Sequence, residues 1–259
     1  MKLEELEARA DEARRKIKGL EDLKVASEVF DTSTLLTLYY LANKGTIEVL
    51  RGVIKTGKES NVFLAEVKGR SVAVKIHRIT TSNYRNMLRY LDGDPRFRGI
   101  KRSKRSVVYT WVQKEFKNLE RALRAGVAVP RPMVYKNNVL VMEFLGKRKR
   151  PYPMLKEAAI EDPEVVFEEI LKSMNLLYCR ANLVHSDLSE YNILMKESEP
   201  VLIDMSHAVV REHPLAGDYL KRDVGNVVRF FGRYLDLDFP QVFDRVTRCD
   251  DGVREDTEG

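Results

Sequence analysis

The sequence predicts an α+β fold of two unlike lobes. Short segments rich in valine and isoleucine begin near residue 47, and longer helical stripes dominate the later part of the chain. No internal repeat interrupts this order of strands first and helices later.

Leu3, Leu6, Ala10, Ala13, Ile17 and Leu20 recur at three- and four-residue spacing, which predicts an amphipathic helix over 3–20 that packs on its own domain. Asp31 is the expected N-cap of a second helix ending near Gly45. Segments 47–54, 61–67 and 71–77 read as antiparallel strands. Residues 79–106 show little periodicity and many basic, serine and threonine residues, the mark of a long flexible or functional loop. A helix is expected over 107–125, closed by Gly126, and a hairpin over 132–136 and 139–144 turns at Asn137–Asn138. Asp162 caps a helix over 163–181, strands 192–196 and 200–204 flank a Glu-Ser-Glu-Pro turn, and helices over 217–235 and 239–247 follow. The implied organisation is an N-terminal helical extension (1–46), a strand-rich N-lobe (47–144), a C-lobe (145–250) and an acidic tail (251–259).

Composition narrows the class. The apolar fraction of 44% is that of a globular protein, and no run approaches the ~18 apolar residues of a membrane span. The two cysteines, Cys179 and Cys249, lie far apart and outside any C-x-x-C pair, which argues against a disulfide or zinc site and for a reducing cytoplasm. The net charge of +6 is concentrated: residues 96–105 hold six basic side chains and no acidic one, and 147–150 read Lys-Arg-Lys-Arg. Such blocks suit phosphate-rich partners, although charge runs are often only solvated surface.

Residues 52–59 nearly match a Walker loop, but Glu59 stands where the magnesium-binding hydroxyl belongs and a strand follows instead of a helix. A strand–loop–strand phosphate cover, with Gly57 backbone and the Lys58 and Ser60 side chains facing phosphate, fits better; an ordinary hairpin turn fits as well. In Val72–Ile76, alternation sets Ala73 and Lys75 on the face opposite Val72, Val74 and Ile76, so Lys75 has room beside a flat ring. Glu115 falls inside the apolar stripe of helix 107–125, between Trp111 and Leu119. A buried carboxylate needs a partner, and Lys75 is the expected one, with Glu120 the second choice of acid. The strongest signal is His185-Ser-Asp-Leu-Ser-Glu-Tyr-Asn192 followed by Val201-Leu-Ile-Asp204. Asp187 is placed to orient or deprotonate a hydroxyl, Asn192 and Asp204 offer hard oxygens to Mg²⁺, and His185 is expected to hold the loop.

With these residues in order, the chain resembles the RIO family of atypical protein kinases, most closely its first subfamily, over approximately 25–247. Lys55–Phe63, Val72–Ile76, Met142-Glu-Phe-Leu145, His185–Asn192 and Ile203–Ala208 carry the resemblance. It implies a reduced two-lobed kinase-like fold with extra N-terminal helices, and a cleft that binds ATP with Mg²⁺, or Mn²⁺ in its place. Asn61, Val62 and Met142 would line that cleft, with the Glu143 and Leu145 backbones meeting adenine. It further implies serine autophosphorylation within 79–106, ATPase activity and a role in small ribosomal subunit maturation. Contact with a pre-ribosomal particle or RNA would then fall to 96–105, and Asp204 becomes a candidate phospho-aspartate. Departures from ordinary kinases are visible: Gly57 is the single glycine of the phosphate loop, Ser186 replaces an arginine, and no peptide-docking segment follows Asp204. Aminoglycoside-type small-molecule kinases share the H-x-D-x-x-x-x-N loop, and an ATP-gated RNA-binding switch is a reading of a different class.

Overall fold

The computed structural model describes residues 30–80 and 84–249; the helix expected over 3–20 and the acidic tail lie outside them. Strands β1 (Val49–Thr56), β2 (Ser60–Val67), β3 (Arg70–His77), β4 (Pro132–Lys136) and β5 (Val139–Glu143) form an antiparallel sheet in the order β1-β2-β3-β5-β4. β3 is therefore central, flanked by β2 and β5. Its alternation sends Val72, Val74 and Ile76 into a core shared with Leu35, Leu38 and Leu41 of helix α1 (Thr32–Asn43). Burying each such side chain contributes about 1.5–3 kcal/mol. Asp31 caps α1, its Oδ1 accepting from the Thr34 amide at 2.8 Å. The hairpin turn fastens the same helix: Asn138 Nδ2 donates to Thr34 Oγ1 at 2.8 Å and to the His77 carbonyl at 2.9 Å.

Beyond the sheet lie α2 (Tyr84–Asp92), α3 (Lys104–Arg124), α4 (Pro163–Cys179), α5 (Ala216–Phe231) and α6 (Phe239–Thr247). They pack with three short strand pairs, β6 (Gly146–Lys147) with β7 (Arg150–Pro151), β8 (Leu183–Val184) with β11 (Val209–Val210), and β9 (Ile193–Lys196) with β10 (Glu199–Leu202). One apolar core runs from Trp111 on α3 through Ile170 on α4 to Val224 and Phe231 on α5. α3 thus belongs to this second core while lying against the sheet, and it links the lobes.

Two expectations are corrected. The 79–106 stretch is not a continuous loop: α2 and a 3₁₀ turn at Pro95–Phe97 occupy much of it, and α3 begins at Lys104. Tyr84, Met87, Leu88 and Leu91 form a helical stripe that packs on the main core, while Arg85 and Arg89 lie outside it and lower the mean hydropathy. The cysteines are also not separate thiols. Cys179 at the end of α4 and Cys249 beyond α6 form a disulfide across a sequence separation of 70. The packing of α6 on α4 brings them together, and Asn175 Nδ2 reinforces it by donating to the carbonyls of Arg245, Val246 and Arg248 at 3.1, 3.1 and 2.9 Å. Spacing along the chain carries no trace of that contact. Among the described residues no helix is long and apolar enough to cross a membrane.

Candidate active site

Between the sheet and the helical lobe lies a cavity of about 610 Å³, within the usual range for small-molecule sites. β2 and β3 supply its roof: Val62 pairs with Lys75 in register, so both point into the cavity with Ala73. The β1–β2 turn contributes Gly57, Lys58 and Ser60, and its tightness is visible at Gly57, whose amide donates to the Ser60 carbonyl at 2.9 Å. A Cβ at Gly57 would stand 3.0 Å from that same oxygen. Met142, Glu143 and Leu145, at and just beyond the end of β5, form the inner wall. Asn61, neighbouring Val62 on a strand of period two, falls on the other face; it is buried and its Oδ1 accepts from Arg78 at 3.3 Å.

The floor of the cavity holds the charged centre. Lys75 Nζ donates to Glu115 Oε1 and to Asp204 Oδ1, each at 2.7 Å. Burial works against the lysine's charge, but the Asp204 and Glu115 carboxylates overcome it and raise its pKa. Burial likewise opposes ionisation of Glu115, and the Lys75 ammonium with His77 more than offsets this, leaving its carboxyl below the ordinary range. His77 Nε2 lies 3.1 Å from Glu115 Oε2 and was not foreseen; it sits two residues past Lys75 on the same face of β3. Glu120, the second-choice acid, instead lies at the surface opposite Arg124.

Asp204 follows β10 in a left-handed backbone, φ +63°. Its Oδ1 also accepts from Ser206 Oγ at 2.7 Å, which leaves Oδ2 to face a ligand. Burial would raise its pKa, but Lys75 and His207 hold the carboxyl well below the usual range. Asp187 and Asn192 border this group without lining the cavity itself. Asn192 Nδ2 donates to the Asp187 carbonyl at 2.8 Å and to Oδ2 at 3.2 Å, so only its Oδ1 remains for a ligand. The Ile203 amide donates to the Asn192 carbonyl at 2.9 Å, which ties the two loops together. Asn192 Oδ1 and Asp204 Oδ2 are hard, compact oxygens, and a donor set of this kind fits Mg²⁺ held jointly with phosphate oxygens.

The loop carrying Asp187 is held from behind. His185 Nε2 faces the Ile203 carbonyl at 3.0 Å and must donate to it, so its tautomer is set; burial lowers its pKa. Asp223, which sequence reasoning missed, accepts from the Ser186 amide at 2.7 Å and the Leu188 amide at 2.9 Å. Burial pushes its carboxyl up to about 7, opposed by those two amides. Arg222 donates to the Ser186 carbonyl, and Asn226 Nδ2 to that of Leu188 at 2.8 Å. Helix α5 therefore braces both sides of Asp187, whose side chain is 52% exposed. A signal existed: Asp223 stands among Leu220, Val224 and Val227 in the buried stripe of α5, just as Glu115 does in α3.

Comparison with known proteins assigns the family and the fold. The RIO domain model matches residues 61–242. The RIO-type serine/threonine-protein kinase Rio1 of Haloferax volcanii is 45% identical over 241 residues, covering 92% of this chain and 82% of the relative. The Rio1 kinase of Methanocaldococcus jannaschii is 45% identical over 233 residues, 89% of this chain and 79% of the relative. The Rio2 kinase from Chaetomium thermophilum superposes with a TM-score of 0.63 over 84% of this chain and 68% of that one, at 22% identity, which speaks to fold alone. A second structure of that kinase, an ADP/Mg²⁺-phosphoaspartate complex, gives 0.61 over 83% and 66%, also at 22% identity. A kinase-like sheet and helical lobe, a cavity between them, and kinase relatives matched along nearly the whole chain lead to one conclusion: this chain is an enzyme of the RIO family of atypical serine/threonine protein kinases.

Proposed function

We propose that the cavity binds ATP with Mg²⁺, and that the enzyme transfers the γ-phosphoryl group to itself or to water as an autophosphorylating ATPase. The single observation that carries this reading is the Lys75 ammonium bridging Glu115 and Asp204, with the Asn192–Asp187 pair at its border. Adenine would lie between Ala73 and Leu194 along Met142, Glu143 and Leu145, all of which line the cavity, and the Gly57–Ser60 turn would cover the phosphates. Lys75, held by Glu115, meets phosphate oxygens. Asn192 Oδ1 and Asp204 Oδ2 would hold the magnesium, whose charge would screen the negative phosphate oxygens that resist attack. Asp187 orients the attacking oxygen and takes its proton, and its exposure leaves room for that oxygen.

Only residues 205–215 separate Asp204 from α5, so little chain is available to align a peptide. An acceptor already in place has the advantage. Asp204 itself is one such acceptor. Its ionised carboxylate, with no proton to lose, would form the bond to the γ-phosphorus as the bond from that phosphorus to the ADP leaving group breaks. The base role of Asp187 then applies to hydroxyl or water acceptors. The phosphoaspartate named for the Rio2 complex supports the same route here. Ser103 or Ser106 is the slower alternative: Ser103 caps α3, accepting from the Ser106 amide at 3.2 Å, and a helix N-terminus favours an added phosphate. Single-turnover reaction with γ-labelled ATP tests this. Hydroxylamine-labile label that disappears in Asp204→Asn supports the acyl-phosphate; label that wholly resists hydroxylamine, with fast trapping, removes it and leaves a hydroxyl kinase.

The cellular role we propose is maturation of the small ribosomal subunit, with the exposed cations Arg98, Lys101, Arg102, Lys104 and Arg105 meeting RNA phosphates. Replacing Arg102, Lys104 and Arg105 by glutamine flattens the salt dependence of RNA binding if so; an unchanged slope refutes it.

A further inference from the structure

Helix α3 carries a second buried polar pair beside Glu115 that the chemistry above does not use. Lys114 is fully buried, and no carboxylate pairs with its ammonium among the described residues. Its Nζ donates instead to the carbonyls of Ser206 at 2.9 Å and Ala208 at 2.5 Å, and it lies 4.9 Å from the centre of the Trp111 ring. Asn118, one turn on and equally buried, donates through Nδ2 to the carbonyls of Met205 at 2.9 Å and Ala208 at 2.8 Å. Its Oδ1 is engaged by Arg96 at 3.0 Å, so the amide orientation is set. Four donor contacts thus converge on three carbonyls of the segment that immediately follows Asp204.

That segment has little regularity of its own: its internal backbone bond runs from the Ala208 amide to the Met205 carbonyl at 3.3 Å. Asp204 is left-handed, a conformation that aspartate enters more readily than most non-glycine residues but that a disordered segment would not hold by itself. A lysine sequestered from water is costly unless its hydrogen bonds are made good. Burial lowers the Lys114 pKa to about 7, with nearby Asp94 opposing and Arg96 adding to the effect. A leucine or methionine would fill the site without that cost, so the donors themselves are the feature to explain.

We infer that Lys114 and Asn118 are positioning residues: they clamp the 205–208 carbonyls to helix α3 and so hold Asp204 in the backbone geometry that turns its free oxygen toward the metal. Glu115 on the same helix holds Lys75. One rigid helix therefore sets both partners of the Lys75–Asp204 contact, and a displacement of α3 moves them together. The inference rests on the proposed role of Asp204 as a magnesium ligand, and the test keeps the two apart.

The experiment compares Lys114→Met, Asp204→Asn and Leu119→Ala, the last a buried apolar neighbour on α3 that makes no contact of this kind and so reports general loosening of the helix. Two readings are taken on the full chain: hydrogen exchange of the 205–208 amides without nucleotide or metal, and the Mg²⁺ concentration for half-maximal gain in ADP affinity. In Lys114→Met the amides exchange faster, and the Mg²⁺ requirement rises about ten- to a hundredfold, as for other residues that orient a metal ligand. ADP affinity without metal stays as it was. Leu119→Ala lowers the melting temperature but leaves the Mg²⁺ requirement unchanged. Unaltered exchange and a Mg²⁺ requirement within about twofold of the parent in Lys114→Met overturn the inference. If Asp204→Asn also leaves the Mg²⁺ gain intact, the ligand assignment fails instead. Should Lys114→Met not fold, Asn118→Leu removes two of the four contacts, keeps the ammonium, and is judged by the same two readings.

Discussion

Removing the Lys75 ammonium leaves Glu115, 1% exposed at its side chain, with His77 as its remaining partner. Breaking a buried ion pair from one side typically costs about 3–5 kcal/mol, because the remaining charge is stranded. Lys75→Met should therefore destabilise the protein by about that amount, well beyond the lost contact itself. Glu115→Leu should cost less, since Lys75 keeps Asp204 at 2.7 Å. The double variant Lys75→Met/Glu115→Leu strands no fully buried charge, as the Asp204 side chain is 33% exposed. It should recover at least about 2 kcal/mol of the summed single losses. Urea unfolding of all four proteins, with a common m-value, yields the coupling energy. The single variant also has a pH signature. In the parent, Glu115 lies below its ordinary value of 4.5, so its contribution is present above that pH and lost on acidification. Without Lys75 the burial effect dominates and the Glu115 pKa rises above 4.5, so Lys75→Met loses stability as pH climbs through that window. The gap between parent and variant thus widens from pH 5 toward 8. Simple additivity of the two substitutions, or a gap independent of pH, would refute the reasoning.

Asp187→Asn should lower turnover by about 10²- to 10⁴-fold with nucleotide affinity nearly intact, measured by single-turnover kinetics beside ADP titration. Near-normal turnover would remove Asp187 from catalysis. In Asp223→Asn, either amide orientation sets an NH₂ against the Ser186 or Leu188 amide, so stability should fall by about 1–3 kcal/mol and turnover with it, while ADP binding holds. Cys179→Ser should cost about 2–4 kcal/mol, and reductant should destabilise the parent but not the variant.

What could be read in advance follows from how rare the signals are. Polar residues inside apolar elements, such as Glu115 in α3 and Lys75 in β3, stand out at one residue's resolution, and the 185–204 spacing is specific. The contact of Lys75 with Asp204, 129 residues apart, depends on how two lobes meet and leaves no local mark. Lys114, Asn118 and Asp223 did satisfy the rule that exposed Glu115, yet their partners are backbone carbonyls and amides, which every sequence supplies everywhere. Helix α2 was hidden by its cations: Arg85 and Arg89 share its short span with Met87 and Leu91, and charge density masked the stripe. The pairing of Cys179 with Cys249 required the docking of α6 on α4, a purely tertiary event.

The left-handed turn at residue 204 narrows the choice of side chain twice over. Chemistry asks for a carboxylate there, and the backbone at φ +63° separately asks for glycine, asparagine or aspartate, the types that enter this region at little cost. Alanine at 204 would therefore report two losses at once, a ligand and a comfortable backbone, and its effect could not be divided between them. Asparagine keeps the turn and the shape and changes only the charge. In mutational scans of this loop, alanine will exaggerate the chemical importance of position 204, and the asparagine variant marks how much of the loss belongs to the carboxylate.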